Sequence, residues 1–222
     1  MFTTVLLMHS ASRLYCHIFH CRQPGTGGFF MADKIDWTQF QGNVIDLGTR
    51  IPSRDFGEKM HDNPQNPRPF KYPRNRLLEL RGTISEHEMR HPTILGQDEE
   101  SCLLVIKNGS ATGVTIGRAN GIMSFVREYF DDGSDQTSKE WSIISYDKKS
   151  GVFSAAGDSG AVVVDGQGRI GGLLTRGTRG LTDSLDITYV TPISFLLKSI
   201  KSNGFPKAYP KACPMETEAL AP

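Results

Sequence analysis

The 222-residue sequence has few cysteines, almost no net charge and no long hydrophobic run. Its four cysteines are fewer than a disulfide-stapled secreted domain of this length would usually carry, and their pairing cannot be read from sequence. A net charge of +1 provides no global field that would attract nucleic acid or a membrane surface. No stretch approaches the roughly 20 apolar residues of a membrane span. We therefore expect an ordinary globular chain with neither nucleic acid nor membrane as a partner.

The histidines and cysteines near the start do not form a convincing metal site. Cys16-His17 and His20-Cys21 are compactly spaced, and no second ligand pair follows at a zinc-like distance, so no metal or cofactor is predicted. Cys102 begins an apolar run and is predicted to be a buried core thiol. Because the N-terminus has no convincing signal peptide, a cytoplasmic location is slightly favoured.

Glycine and proline are plentiful, with 23 and 12 residues, which favours many turns and short strands over long helices. We expect residues 1–35 to be a poorly specified N-terminal segment, 36–206 to form the folded domain and 207–222 to be a flexible tail. Within the domain, residues 52–72 are rich in proline, asparagine and charge, which predicts a loop outside the core. Ser85 is a helix cap, and that helix should end before Pro92.

The second half of the chain alternates short apolar runs with turn signals. Five to seven strands at about 8–12-residue spacing, followed by a closing helix at 192–200, predict an all-β fold built on a small barrel. The runs lie at 103–107, 112–118, 121–129, 140–146, 161–164, 169–175 and 186–191.

One predicted turn contains a candidate catalytic serine. Gly157-Asp158-Ser159-Gly160 presents a serine between glycines, and the apolar run Ala161-Val162-Val163-Val164 follows at once. A serine nucleophile needs such a protruding turn, because its own amide and that of the glycine two residues earlier must both face a developing oxyanion. The same composition is also common in plain β-turns between strands, which is the structural alternative.

These residues resemble the nucleophile motif of trypsin-like serine proteases, the chymotrypsin-fold superfamily. The following strand, glycine-containing strand and C-terminal helix agree with that resemblance. More narrowly, the chain is similar over residues 36–206 to uncharacterised fungal proteins with a trypsin-like peptidase domain. The matching phrases lie at residues 42–48, 112–120, 138–141 and 168–175.

The resemblance implies roles for individual residues. Ser159 would be the nucleophile, and the backbone amides of Gly157 and Ser159 would form the oxyanion hole. Asp158 would be structural, its buried carboxylate holding the turn. Phe153, six residues before the serine, would border an apolar pocket for the substrate residue before the scissile bond. The strand after the nucleophile would line the substrate groove through Leu173, Leu174, Thr175 and Gly177, and its backbone would pair with an extended peptide.

The base and acid of a triad are not identifiable. His20-Cys21 resembles the His-Cys pair of the family and makes His20 the candidate base, although too few residues precede it to form barrel strands. His61, His87 and His91 are predicted to have surface roles. The fungal proteins carry the catalytic aspartate in an Asp-Trp-Ala-Leu strand where this chain reads Gly-Gly-Phe-Phe-Met-Ala-Asp at 27–33. The resemblance therefore implies a largely complete second barrel and an incomplete first barrel.

Two functions from different classes follow. The first is a serine endopeptidase-like protein with acyl-enzyme chemistry at Ser159, inactive or impaired because its base and acid are missing. The chain would then be a truncated or mis-spliced gene product, or a degenerate paralogue. The alternative is a non-catalytic barrel that binds a peptide or protein, with self-association through the incomplete barrel. A third interpretation is a fragment without independent function.

Overall fold

The computed structural model describes residues 44–96, 98–178, 186–203, 206 and 208–210 of the chain. Before the barrel, the described chain forms two short antiparallel strands, which pair with each other, and two helices. These elements are β1 (Val44–Asp46), α1 (Ser53–Met60), β2 (Leu77–Glu79) and α2 (Glu86–Arg90).

The proline-rich stretch at 52–72 contributes to the core, so the prediction of a loop outside the core is wrong there. Helix α1 places Phe56 and Met60 four residues apart, on one face, and both are buried. Phe70, beyond the helix, is buried and stacks on Phe56 with ring centroids 5.6 Å apart. The prolines therefore shape a packed segment.

Helix α2 begins as predicted, at the cap residue Ser85. The Ser85 hydroxyl accepts the Glu88 amide, and the Glu88 carboxylate accepts the Ser85 amide, each at 3.2 Å. This reciprocal capping box satisfies two amides that the first turn leaves free. The helix ends at Arg90, before Pro92.

The rest of the described chain is a closed barrel of six antiparallel strands followed by a helix. The elements are β3 (Leu103–Gly109), β4 (Gly113–Tyr129), β5 (Asp135–Ser145), β6 (Val162–Asp165), β7 (Ile170–Gly177), β8 (Ile187–Pro192) and α3 (Ile193–Ser202). Neighbouring strands are hydrogen-bonded in the order β3-β4-β5-β8-β7-β6.

This architecture confirms the predicted all-β fold, with a largely complete second barrel and a short C-terminal helix. Before the barrel, β1 and β2 are the only named strands among the described residues. No helix within the described part of the chain is long and apolar enough to cross a membrane.

Strands β3, β6 and β7 are buried on both faces over most of their length, which explains their nearly continuous apolar runs. Along β3, Leu104 and Ile106 join one core cluster, while Leu103 and Val105 join the other. The first cluster includes residues of α1 and α3, so helices cover that side of the strands. The second gathers around the fully buried Trp141. Successive side chains of a strand point to opposite faces, and both faces here exclude water.

The hairpin of β4 and β5 is longer than predicted. The sequence indicates two separate strands at 112–118 and 121–129, whereas β4 is continuous and changes its register with β5 between Ala119 and Met123. Such a bulge bends a strand without ending it. Beyond it, Ile122, Phe125 and Tyr129 expose large apolar side chains.

Candidate functional site

The turn between Phe153 and β6 presents Ser159 at the surface. Gly157 and Gly160 have φ angles of +105° and +87°, which residues with a Cβ atom rarely adopt. Two hydrogen bonds close the turn, from the Asp158 amide to the Ala155 carbonyl and from the Ala161 amide to the Asp158 carbonyl, each at 3.0 Å. The glycines therefore allow a tight reversal that leaves Ser159 exposed while Asp158 is buried.

The Asp158 carboxylate is the anchor of this turn. Its oxygens accept the amides of Ala111 at 2.7 Å, Thr112 at 3.2 Å and Ala155 at 3.1 Å, and the Thr112 hydroxyl at 2.7 Å. The Lys107 ammonium lies 3.0 Å from Oδ2, and both side chains of this ion pair are fully buried. Burial acts to raise the pKa of Asp158, but the hydrogen bonds from Thr112 and Lys107 outweigh it and lower the pKa to about 2.

Several backbone amides of the turn, those of Ala156, Gly157 and Ser159, make no hydrogen bond to the described residues. Neither Gly157 N–H nor Ser159 N–H donates a hydrogen bond to any residue that the structure describes, and both residues are exposed. The amides of Asp158, Gly160 and Ala161 are all used within the protein. Free amides on either side of an anchored residue are the donors that an oxyanion hole requires.

The Ser159 hydroxyl is bound to the neighbouring strand. Its Oγ donates to the carbonyl of Thr175, at 3.1 Å, near the end of β7. A carbonyl cannot accept the proton of an attacking serine, so this contact does not activate the hydroxyl. It does place the Ser159 hydroxyl directly beside the strand that was predicted to hold a peptide.

The open part of that strand is shorter than predicted. Leu173 and Leu174 are 1% and 2% exposed, and their backbones are paired on the β6 side with Val162 and Ala161. The prediction that these two leucines line a groove is therefore wrong, because their side chains are core and their backbone is used. The surface begins at Thr175 and continues to the exposed Gly177.

Among the described residues, 175–177 have one partner strand. Arg176 and Gly177 pair with Tyr189 and Thr188 of β8, whereas the register of β6 with β7 extends only to Leu173. A strand that is paired on one side can accept an extended peptide on the other. Next to Ser159, this edge is where a peptide carbonyl would approach the hydroxyl.

Phe153 does not border a surface pocket. It is 1% exposed and lies against Gly117, where an added Cβ would come within 2.6 Å of the ring, and near Ile143 in the same core cluster. The prediction of a pocket role is wrong, because the ring fills the space that the glycine leaves in β4. The next residue, Ser154, is also buried, and its hydroxyl is bonded to that of Thr188 at 2.7 Å.

No histidine that the structure describes contacts Ser159. His61, His87 and His91 are all exposed, as predicted. His61 Nε2 is bonded to the Phe70 carbonyl at 3.0 Å, and the rings of His87 and His91 lie 4.9 Å apart beside α2. His20 lies outside the described residues, as does the Cys16–Cys21 cluster.

Comparisons with known proteins give a structural likeness only. No protein-family model and no curated protein matches the chain. Among solved structures it is similar to the chymotrypsin of Cellulomonas bogoriensis, at 22% sequence identity and a TM-score of 0.33. The match covers 44% of this chain and 46% of that chymotrypsin, so less than half of its length is spanned. A likeness of this extent says nothing of activity.

Sequence reasoning missed Lys107 and Thr112, which hold Asp158 from the adjoining β3–β4 hairpin. The available signal was weak: Lys107 ends an apolar run, a position at which a lysine usually reaches solvent. Only the folded barrel brings it to Asp158, 51 residues later in the chain. Cys102, in contrast, is the buried free thiol that its apolar surroundings predicted.

Proposed function

We propose that this chain is a serine endopeptidase-like protein whose described part carries the nucleophile Ser159 and an oxyanion hole from the amides of Gly157 and Ser159. The observation that supports it is the anchored turn: Asp158 is locked in the barrel while two free amides and an exposed hydroxyl remain beside it. Each such amide lowers the barrier of acyl transfer by about 3–4 kcal/mol in serine proteases.

The substrate in this proposal is an extended peptide along residues 175–177. Its backbone would pair with the free side of β7, which brings one carbonyl to Ser159. For hydrolysis the Thr175 contact must break and the Ser159 proton must pass to a base, for which the sequence offers His20 as the candidate. Attack then forms an acyl-enzyme and releases the amine, and water releases the acid.

Labelling with a fluorophosphonate tests this function. A working site gives one label per chain that is lost in Ser159→Ala, with Ser124→Ala on β4 as the control that keeps the label. Ser124 is matched because its hydroxyl is likewise bonded within the barrel, to Ser142 at 2.6 Å. A folded wild-type chain that takes no label over hours would overturn hydrolysis by this chain alone.

The second candidate is a non-catalytic barrel that binds peptides or a partner chain. The bond of the Ser159 hydroxyl to Thr175 favours it, since the nucleophile is held away from any base that the structure describes. The apolar side chains of Ile122, Phe125 and Tyr129 add surface for association. Labelling and peptide binding together distinguish the two candidates. A wild-type chain that binds peptide, or self-associates in light scattering, but takes no label supports the non-catalytic barrel, whereas a label that Ser159→Ala removes supports the endopeptidase.

A further inference from the structure

A fully buried lysine lies beneath the nucleophile turn. Lys107 Nζ contacts three acceptors: Asp158 Oδ2 at 3.0 Å, the Gly113 carbonyl at 2.9 Å and the Thr112 hydroxyl. The three donors of the ammonium group are thus all used. Burying two charges is costly even when they are paired, so the pair calls for a role beyond stability.

The pair acts on the residues that flank Asp158. Its carboxylate is fixed by Lys107 and by donors from the β3–β4 hairpin, and its backbone is fixed by the bonds to Ala155 and Ala161. A residue held at both its side chain and its backbone sets the peptide planes on either side. The plane after Asp158 carries the Ser159 amide. The Gly157 amide lies one plane further back, inside the turn that the Asp158 amide closes on the Ala155 carbonyl.

We propose that Lys107 is a positioning residue that holds the amides of Gly157 and Ser159 in the arrangement that binds an oxyanion. It acts through Asp158 and touches neither Ser159 nor substrate. Because the cation is a side chain of β3, its charge is in place once the barrel has folded. The effect of Lys107 on the two amides does not depend on the proposed function; only its effect on catalysis does.

The first experiment monitors the conformation of the turn by NMR, through the backbone amide ¹H–¹⁵N resonances of Gly157 and Ser159. In Lys107→Met, Asp158 loses its counter-charge, and we expect these two resonances to shift or broaden while those of β5 and α3 stay in place. The double variant Lys107→Met/Asp158→Asn has no unpaired charge, and we expect partial return towards wild type. A folded Lys107→Met protein with both resonances unchanged would overturn the proposal.

The matched control is Lys59→Met. Lys59 also pairs with an aspartate, Asp147 at 3.7 Å, and lies over an aromatic ring, that of Tyr146, but the ion pair is about one-third exposed. We expect no change at Gly157 or Ser159. Equal shifts in the control would mean that any loss of lysine moves the turn, and would contradict a specific role for Lys107.

A milder variant covers the case in which Lys107→Met does not fold. Thr112→Val removes a hydroxyl that donates to Asp158 Oδ2 at 2.7 Å and accepts from Lys107 Nζ, and it keeps both charges. We expect smaller shifts at the same two residues, and their absence would count against the proposal.

Reactivity gives a second, separable measurement. Where the wild type takes the fluorophosphonate label, Lys107→Met should slow labelling by at least about 10-fold, because a displaced oxyanion-hole donor typically reduces the rate by 10²–10³. An unchanged labelling rate would refute the positioning role. If the wild type takes no label, the proposed hydrolysis is refuted. The NMR resonances of Gly157 and Ser159 in Lys107→Met still test the positioning role in that case.

Discussion

Gly109 allows the sharpest test of the buried pair, because nothing but a hydrogen fits there. A Cβ atom at this position would lie 2.3 Å from Asp158 Oδ1 and 2.9 Å from Lys107 Nζ, whereas ordinary contacts begin near 3.4 Å. In Gly109→Ala the Asp158 carboxylate must therefore move by about 1 Å. Because donors surround both of its oxygens, this movement must lengthen or break hydrogen bonds.

The expected loss of stability follows from that displacement. Breaking one hydrogen bond to a buried charged group costs about 1.5–3 kcal/mol, and the lower backbone entropy of alanine offsets about 0.5–1 kcal/mol. We expect Gly109→Ala to lower the free energy of unfolding by about 2 kcal/mol, measured by urea unfolding followed by circular dichroism. The slope of the transition should stay constant, so that the shift of its midpoint reports stability.

The control is the same substitution where space exists. Gly57 lies in α1, and an added Cβ would meet nothing within 4 Å. Gly57→Ala should stabilise the protein by up to about 1 kcal/mol, because alanine is the better helix former. If Gly109→Ala were as stable as wild type, the Asp158 carboxylate would not be where the structure puts it, and the anchoring argument would fail with it.

Two further predictions concern charged groups. The pKa of Asp158 and that of Glu88 are each lowered to about 2, so their contribution to stability is fully present above their ordinary pKa values near 4 and is lost as the pH falls towards 2. The difference in free energy of unfolding between wild type and Asp158→Asn should therefore be full above about pH 4 and shrink as the pH falls towards 2, measured by urea unfolding across that range. Asp62→Asn leaves the buried Arg68 without its counter-charge, 3.0 Å away, and should destabilise the fold by about 3 kcal/mol or more in urea unfolding, whereas Glu58→Gln in the exposed pair with Arg54 should change little.

The barrel could be predicted from sequence because its signals are local. Apolar runs of strand length alternate with glycine and asparagine turns, and each predicted run overlaps a strand of the structure. The same local signals failed at 52–72, where four prolines outweighed the spacing of Phe56 and Met60. A four-residue apolar spacing over one short helix is too brief a pattern to compete with that composition.

In the candidate site, too, the local features could be predicted from the sequence and the contacts between distant residues could not. The exposed serine and the left-handed glycines of the turn are local properties, which the motif at 157–160 encodes by itself. The partners of Asp158 are not local, because Lys107 and Thr112 reach it only after β3 and β6 have paired. The groove was misplaced for a related reason: whether Leu173 and Leu174 face solvent depends on where β6 stops pairing with β7.

Oxyanion binding and hydrolysis are separable in this architecture. In the proposed arrangement the amides of Gly157 and Ser159 are held by the Lys107–Asp158 pair, which is fully buried, whereas proton transfer needs a base, and no described histidine contacts Ser159. Loss of the base would remove the proposed chemistry at Ser159 but none of the contacts that shape the turn. Such a chain would keep the proposed oxyanion site beside the strand edge at 175–177 even when it hydrolyses nothing, and a peptide-binding role would require no new surface.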